Sequence, residues 1–221
     1  MEIIFNEEYL REMYAMGKTD IKHRFQPQII RKYIRIIDLM RDTSNVLGLM
    51  QYNSLNYEKL KNDKAELSSV RVNDQYRIEF EERIRDGETI ATICNITDLS
   101  NHYKKLIMIT IQEVDSNMIA NNLEPAFPTH PGEILKEEIE YRGISQRKLA
   151  EQMGIGYSVL NEILNAHRPV TEKTALMFEA ALGVEAEPLM RLQMRYNVRV
   201  AKKDKSFMQR LDNIRKVAAI L

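Results

Sequence analysis

Arg71 and Arg77 flank a short polar stretch, Asn73-Asp74-Gln75, between two runs of alternating apolar residues. Val70 and Val72 must share a face with Tyr76, Ile78 and Phe80. A two-residue turn breaks that parity. A three-residue loop at 73–75 restores it, pairing Val72 with Tyr76 and Val70 with Ile78. The same register sets Arg71 directly opposite Arg77 on the other face, where two cations repel unless an anion lies between them. A phosphate fits that place, because two planar guanidinium forks match its oxygens. Neutralisation by Glu58 or Glu79 is the alternative. Downstream lies Asp98-Leu99-Ser100-Asn101-His102-Tyr103-Lys104-Lys105. Metal-free RNA cleavage, in which the 2′-hydroxyl attacks the neighbouring phosphate, needs a base, a cation for the charged transition state and an acid for the leaving oxygen. Arg71 and Arg77 would supply the cations. His102 would move protons because it titrates near neutrality, with Tyr103 and Lys104 assisting. Lys59, Lys61 and Lys104 would hold RNA phosphates. A lone histidine near a strand end is also often purely structural.

A second constellation begins at Ser145. With Gln146 as the first position of a helix-turn-helix unit, Leu149 and Ala150 fall where the first helix must bury and approach closely. Met153, Ile155, Leu160 and Ile163 fill the remaining core positions, and Gly154 sits at the turn, where a positive φ is wanted. Ser145 is the expected N-cap. The second helix is expected over about 157–165, presenting Gly156, Tyr157, Ser158, Asn161, Glu162 and Asn165. Asn161 can pair bidentately with adenine, and Glu162 can accept from cytosine. Gln146, Arg147, Arg168 and Lys173 would contact phosphates and set the register. The alternative is an ordinary helical hairpin.

The surrounding elements follow from pattern. Glu2–Phe5 reads as a strand. A helix over 7–16 is expected to be capped by Asn6 and stopped by Gly17. After Pro27, apolar residues from Ile29 to Met40 recur at helical spacing, and the intervening Arg31, Lys32, Arg35 and Arg41 read as a solvated face. Residues 68–72, 76–81 and 89–96 read as a β-meander. The pattern from Thr129 onward is helical, with Pro131 in a first turn, a helix between Thr171 and Gly183, and another over 187–196. Residues 199–216 are basic, with Phe207, Leu211 and Ile214 at helical spacing. This tail would pack on the first half, extend a DNA contact or remain a solvated helix.

The chain of 221 residues has room for two domains, and its 32 Lys+Arg balance 32 Asp+Glu, so any nucleic-acid role must rest on local patches. One cysteine, Cys94, excludes an intramolecular disulfide and a Cys-based zinc site. The histidines show no metal-ligand spacing, and neither a metal nor a cofactor is expected. No apolar run has membrane-spanning length and the N-terminus lacks a signal-type core, so a cytoplasmic protein without membrane contact is expected. The expected division is an α+β domain of helices and antiparallel sheet over 1–107, a linker over 108–128, and an all-α helix-turn-helix domain over 129–221.

Two resemblances accompany these readings. Thr129-His130-Pro131-Gly132-Glu133-Ile134-Leu135, Gly143-Ile144-Ser145-Gln146, Leu160 to Asn165 and Arg168-Pro169-Val170-Thr171 resemble the HigA-type antitoxins, Xre-like repressors. That resemblance implies a homodimer that binds its own operator DNA and neutralises a toxin. Phe25-Gln26-Pro27, Asn53 to Tyr57, Ser69 to Asn73, Gln75 to Phe80 and Leu99 to Tyr103 look like the HigB-type toxins, RelE-superfamily mRNA interferases acting on ribosome-bound message. There Arg71 and Arg77 match the strand arginines, and Asp98 and His102 the C-terminal acidic and histidine positions. Glu58 stands where many members have histidine, Ser68 where they have tryptophan, and the compact C-terminal motif is stretched. The reading is a toxin and its antitoxin in one chain, with contact within or between chains. The alternatives are a repressor carrying an inert toxin-like module and a first half that binds RNA without cutting it.

Overall fold

The computed structural model describes residues 1–61, 64–85, 87–98 and 115–218, with the backbone alone given for Arg85, Thr92 and 94–98. In chain order the first half forms β1 (Glu2–Phe5), α1 (Glu8–Met16), α2 (Pro27–Asp42), α3 (Val46–Met50), β2 (Glu58–Lys59), β3 (Leu67–Arg71), β4 (Tyr76–Arg85) and β5 (Glu88–Asp98). The strands make a five-stranded sheet in the order β1-β5-β4-β3-β2, antiparallel except for the β1–β5 pair. The parity argument holds: Val70 pairs with Ile78, Arg71 with Arg77, and the Val72 amide donates to Tyr76 O at 2.8 Å. Val70, Val72, Ile78 and Phe80 lie fully buried in one core with Leu10, Met13 and Tyr14 of α1 and Tyr33 and Ile37 of α2.

Gly17 stops α1 at φ 66°. The cap position of α1 falls to Glu7, not Asn6, because the Asn6 amide donates to Ile93 O (2.9 Å) and extends the β1–β5 ladder. The cations of α2 do not form the solvated face expected of them. Arg35 bonds Glu137, Lys32 lies 3.3 Å from the same carboxylate, and the Arg31 guanidinium sits 4.8 Å from the Phe127 ring centre. Arg41 donates to the Tyr14 hydroxyl at 2.7 Å and to Leu123 O at 3.3 Å. The chain beyond residue 115 lies on that side of α2 and supplies these partners apart from Tyr14.

Residues 115–128, assigned to the linker in the sequence reading, pack against the edge strand β1. Ile119 bridges Ile4, the Ile3 amide donates to Asn121 Oδ1 at 2.9 Å, Ala120 is fully buried, and the Ala126 amide donates to Tyr14 O at 2.8 Å. An edge strand leaves backbone groups unpaired, and this segment covers them.

The second half is helical: α4 (Pro131–Tyr141), α5 (Gln146–Gln152), α6 (Tyr157–Leu164), α7 (Glu172–Leu182), α8 (Ala186–Lys203) and α9 (Lys205–Ala218). His130 opens α4 through Nδ1, which accepts from the Gly132 amide at 3.0 Å, while Glu133 reaches back to the His130 amide. Thr171 caps α7 and Gly183 ends it at φ 70°. The α8 helix runs further than the expected 187–196, and Asp204 breaks it from α9 by bonding the Ser206 and Phe207 amides. Arg199 and Lys202 of α8 bond Glu124, so this part of the tail packs on the preceding half, whereas α9 buries none of its side chains.

Candidate nucleic-acid interfaces

On the outer face of the β2–β3–β4 corner, Asn56, Glu58, Ser69, Arg71, Asp74 and Arg77 line an open cleft of about 250 Å³. The pairing of Glu58 with Ser69 puts its side chain on the face of Arg71 and Arg77. Arg77 Nη1 donates to Glu58 Oε1 at 2.6 Å, and Arg71 is bonded by Asp74 of the hairpin loop. The repulsion between the two cations is therefore met by carboxylates. Glu58 serves as anticipated; Glu79, opposite Ser69 on the same face, is buried and accepts from Lys64 at 2.8 Å. Asn56 holds φ 42° in the left-handed region, a strained setting for a residue with a β-carbon.

Lys59 and Lys61 are exposed near this corner. The backbone of Asp98 pairs with Tyr76, one step along from the Arg77–Thr97 pair, which brings the end of β5 to the same end of the sheet as the arginines. His102, Tyr103 and Lys104 lie outside the described residues. Sequence reading missed Asp74 as a site residue and took Glu58 only as a neutraliser. Strand parity across β2 and β3 is the signal that could have placed Glu58 in the cleft.

In the second half, Gly154 holds φ 65° between α5 and α6, and Leu149, Ala150, Leu160 and Ile163 are buried as their spacing requires. Ser145 occupies the N-cap of α5, although its hydroxyl makes no cap bond. Gly132 allows α4 to cross α6 at contact distance: a β-carbon there would lie 1.9 Å from Ile163 O. Tyr157 and Ser158 are exposed at the start of α6, and the Arg147 guanidinium lies 5.5 Å from the Tyr157 ring centre. Gln146 and Asn161 are half-buried. Glu162 and Asn165 are less available than their spacing suggests. Arg168 donates to Glu162 at 2.8 Å, Lys136 donates to Asn165 Oδ1 at 2.9 Å, and Asn165 Nδ2 donates to Asn161 O at 2.8 Å. Lys173 is exposed. Among the described residues no cluster of His, Cys, Asp and Glu has the makings of a metal site, and no helix is long and apolar enough to cross a membrane.

The two halves meet along α2. Thr129 Oγ1 donates to Asp38 Oδ2 at 2.6 Å, the Tyr14 hydroxyl donates to Oδ1 of the same carboxylate at 2.7 Å, and Arg195 of α8 bonds both oxygens of Asp42. Burial pushes Asp42 up to about 6 despite that guanidinium, and pushes Asp38 up as well. Burial drives His130, stacked edge-on against Tyr196, down to about 4.

A sheet bearing facing arginines, clamped to a helix-turn-helix unit, defines a chain that joins a toxin-like domain to a DNA-binding one. Residues 3–96 match the family model of the RelE-like toxin of type II toxin-antitoxin system HigB, and residues 135–189 match a helix-turn-helix model. Virulence-associated protein I of Dichelobacter nodosus is 36% identical over 77 residues, which cover 34% of this chain and 71% of that protein. Among solved structures, an addiction module antidote protein of the HigA family from Coxiella burnetii is 35% identical, covering 36% of this chain and 87% of that one, with a TM-score of 0.34. The Pseudomonas aeruginosa antitoxin HigA, solved with the higBA promoter, is 29% identical over 34% of this chain and 83% of that one, with a TM-score of 0.33. Each of these covers little more than a third of this chain, so sequence agreement carries the assignment. In its second half the chain belongs to the family of virulence-associated protein I, and it is a toxin–antitoxin fusion, HigB-like in its first half and a helix-turn-helix antitoxin in its second.

Proposed function

We propose that the first half is an mRNA interferase acting on ribosome-bound message, restrained by a second half that binds and represses its own operator. The observation that carries the nuclease reading is the register that faces Arg71 with Arg77 across an open cleft. Two guanidinium forks there would bind the scissile phosphate and stabilise the charge of its transition state. Asp98, His102 and Tyr103 are the proposed proton carriers, and Lys59, Lys61 and Lys104 the proposed contacts to flanking phosphates. In the second half, Tyr157, Ser158, Asn161, Glu162 and Asn165 would face the major groove, with Gln146, Arg147 and Arg168 on phosphates. A recognition helix with so few cations favours a homodimer, which doubles the contacts.

A repressor with an inert toxin-like module is the second reading. The carboxylates of Glu58 and Asp74, which already occupy the two arginines, favour it. Growth and message integrity in bacteria expressing residues 1–128 or the full chain decide between them. The cut at 128 keeps the segment that covers β1. Arrest and cut message from the short form alone support the nuclease; a folded, harmless short form supports the repressor.

A further inference from the structure

Tyr141 ends α4 and belongs to the antitoxin half, yet its ring centre lies 5.7 Å from the Arg71 guanidinium of the toxin half. Arg71 thus meets both Asp74 and Tyr141, and the two differ in how firmly they are held. Asp74 lies on an exposed loop, where an ion pair is weak and an incoming phosphate can displace it. Tyr141 sits on a helix anchored beside the cleft. One turn before it, Glu138 is fully buried against the backbone of Asn53 and Ser54, and the adjacent Arg142 donates to Gln51 O at 2.8 Å. The stretch fixed by these bonds leads directly to Asn56 and Glu58 of the cleft wall. Tyr141 makes no hydrogen bond among those described and is 48% exposed, so burial alone does not account for its position.

We propose that Tyr141 is a mask built into the fusion, through which the antitoxin half covers the phosphate-binding arginine of the toxin half. The ring fills the space beside Arg71 that the ribose or base attached to a bound phosphate would need, and it holds the guanidinium turned toward Asp74. The mask rests on the reading of the cleft as an RNA site. It predicts that the fused chain is silent through one removable contact at the site.

The test uses the full chain and a labelled single-stranded 2′-O-methyl RNA oligonucleotide, which binds without being cut. Tyr141→Ala should bind it about tenfold more tightly than the wild type, Tyr141→Phe should match the wild type, and Arg71→Ala/Tyr141→Ala should lose the gain. Unchanged affinity of Tyr141→Ala overturns the mask. Weaker binding also overturns it, and would make Tyr141 a stacking platform for RNA. Cleavage of all-ribose message on ribosomes separates the two ideas. If Tyr141→Ala binds more tightly but cuts nothing, the mask stands and the nuclease fails. If the wild type cuts as fast as Tyr141→Ala, the nuclease stands and the mask fails.

Discussion

Glu138 caps a turn that lies 85 residues away from it in the chain: its carboxylate accepts from the Asn53 amide at 2.8 Å and, through the other oxygen, from Ser54 at 2.9 Å. The carboxylate is completely buried and also takes the Arg142 Nε–H. Removing it would strand two amides and leave the Arg142 guanidinium, still held by Leu182 O and Gln51 O, without its counter-charge. Glu138→Ala should therefore cost about 3–5 kcal/mol of stability in urea unfolding, the range for breaking one side of a buried pair. Glu138→Gln should cost less, since its carbonyl can still accept one amide. A loss below about 1 kcal/mol for the alanine variant would show that the cap does not hold the halves together.

That contact also shows where sequence reading stops. The helix-turn-helix was legible because its constraints are local: Leu149, Ala150, Gly154, Leu160 and Ile163 must recur at fixed spacing for two short helices to pack. The Arg71–Arg77 pairing was legible because strand parity leaves one register for the hairpin. Glu138, Tyr141 and Arg195 were not, because their partners lie far along the chain and no period links them. The cations of α2 misled for the same reason, since a helix face that meets another domain carries the same charge pattern as one that meets water.

Gly132 should tolerate no side chain. A β-carbon there would lie 1.9 Å from the Ile163 carbonyl oxygen, and backbone cannot yield as a flexible side chain would. Gly132→Ala should cost about 1–3 kcal/mol or more by overpacking. It should also displace α6, so a gel-shift titration should show weaker operator binding at temperatures where the chain is still folded. A variant of wild-type stability and affinity would mean that α4 and α6 are not locked together at this point.

Asn161 should discriminate between operator bases, whereas Arg147 should only position the helix. Asn161→Ala should lose about 1–3 kcal/mol of specific binding and relax the preference at one base pair. Arg147→Ala should weaken binding to all sequences alike and lower the salt slope by about 1. Competition titrations at several salt concentrations measure both. Equal losses on operator and random DNA for Asn161→Ala would remove it from base readout.

His130 and Asp42 should give opposite pH dependences that nearly cancel. His130 is held neutral in the fold, down to about 4 from its ordinary 6.5. Its contribution is fully present above pH 6.5 and is lost as pH falls through about 4. Asp42 is raised to about 6 from 3.8, so its contribution is fully present below pH 3.8 and is lost as pH rises through about 6. Between pH 4 and 6 the unfolded chain holds the extra proton on His130 and the folded chain holds it on Asp42, so the two slopes oppose each other. Asp42→Asn removes one opposing carboxylate and leaves Asp38, which burial also raises, so relative to the wild type its stability should shift toward the histidine slope by roughly 2 kcal/mol between pH 6.5 and 4.5. His130→Asn keeps a good N-cap residue and should remove the histidine slope. It should leave stability rising as the pH is lowered across the same window. Urea unfolding of the three chains at pH 6.5 and 4.5 makes the comparison. Parallel pH profiles for the two variants would show that neither group changes its protonation when the halves separate and unfold.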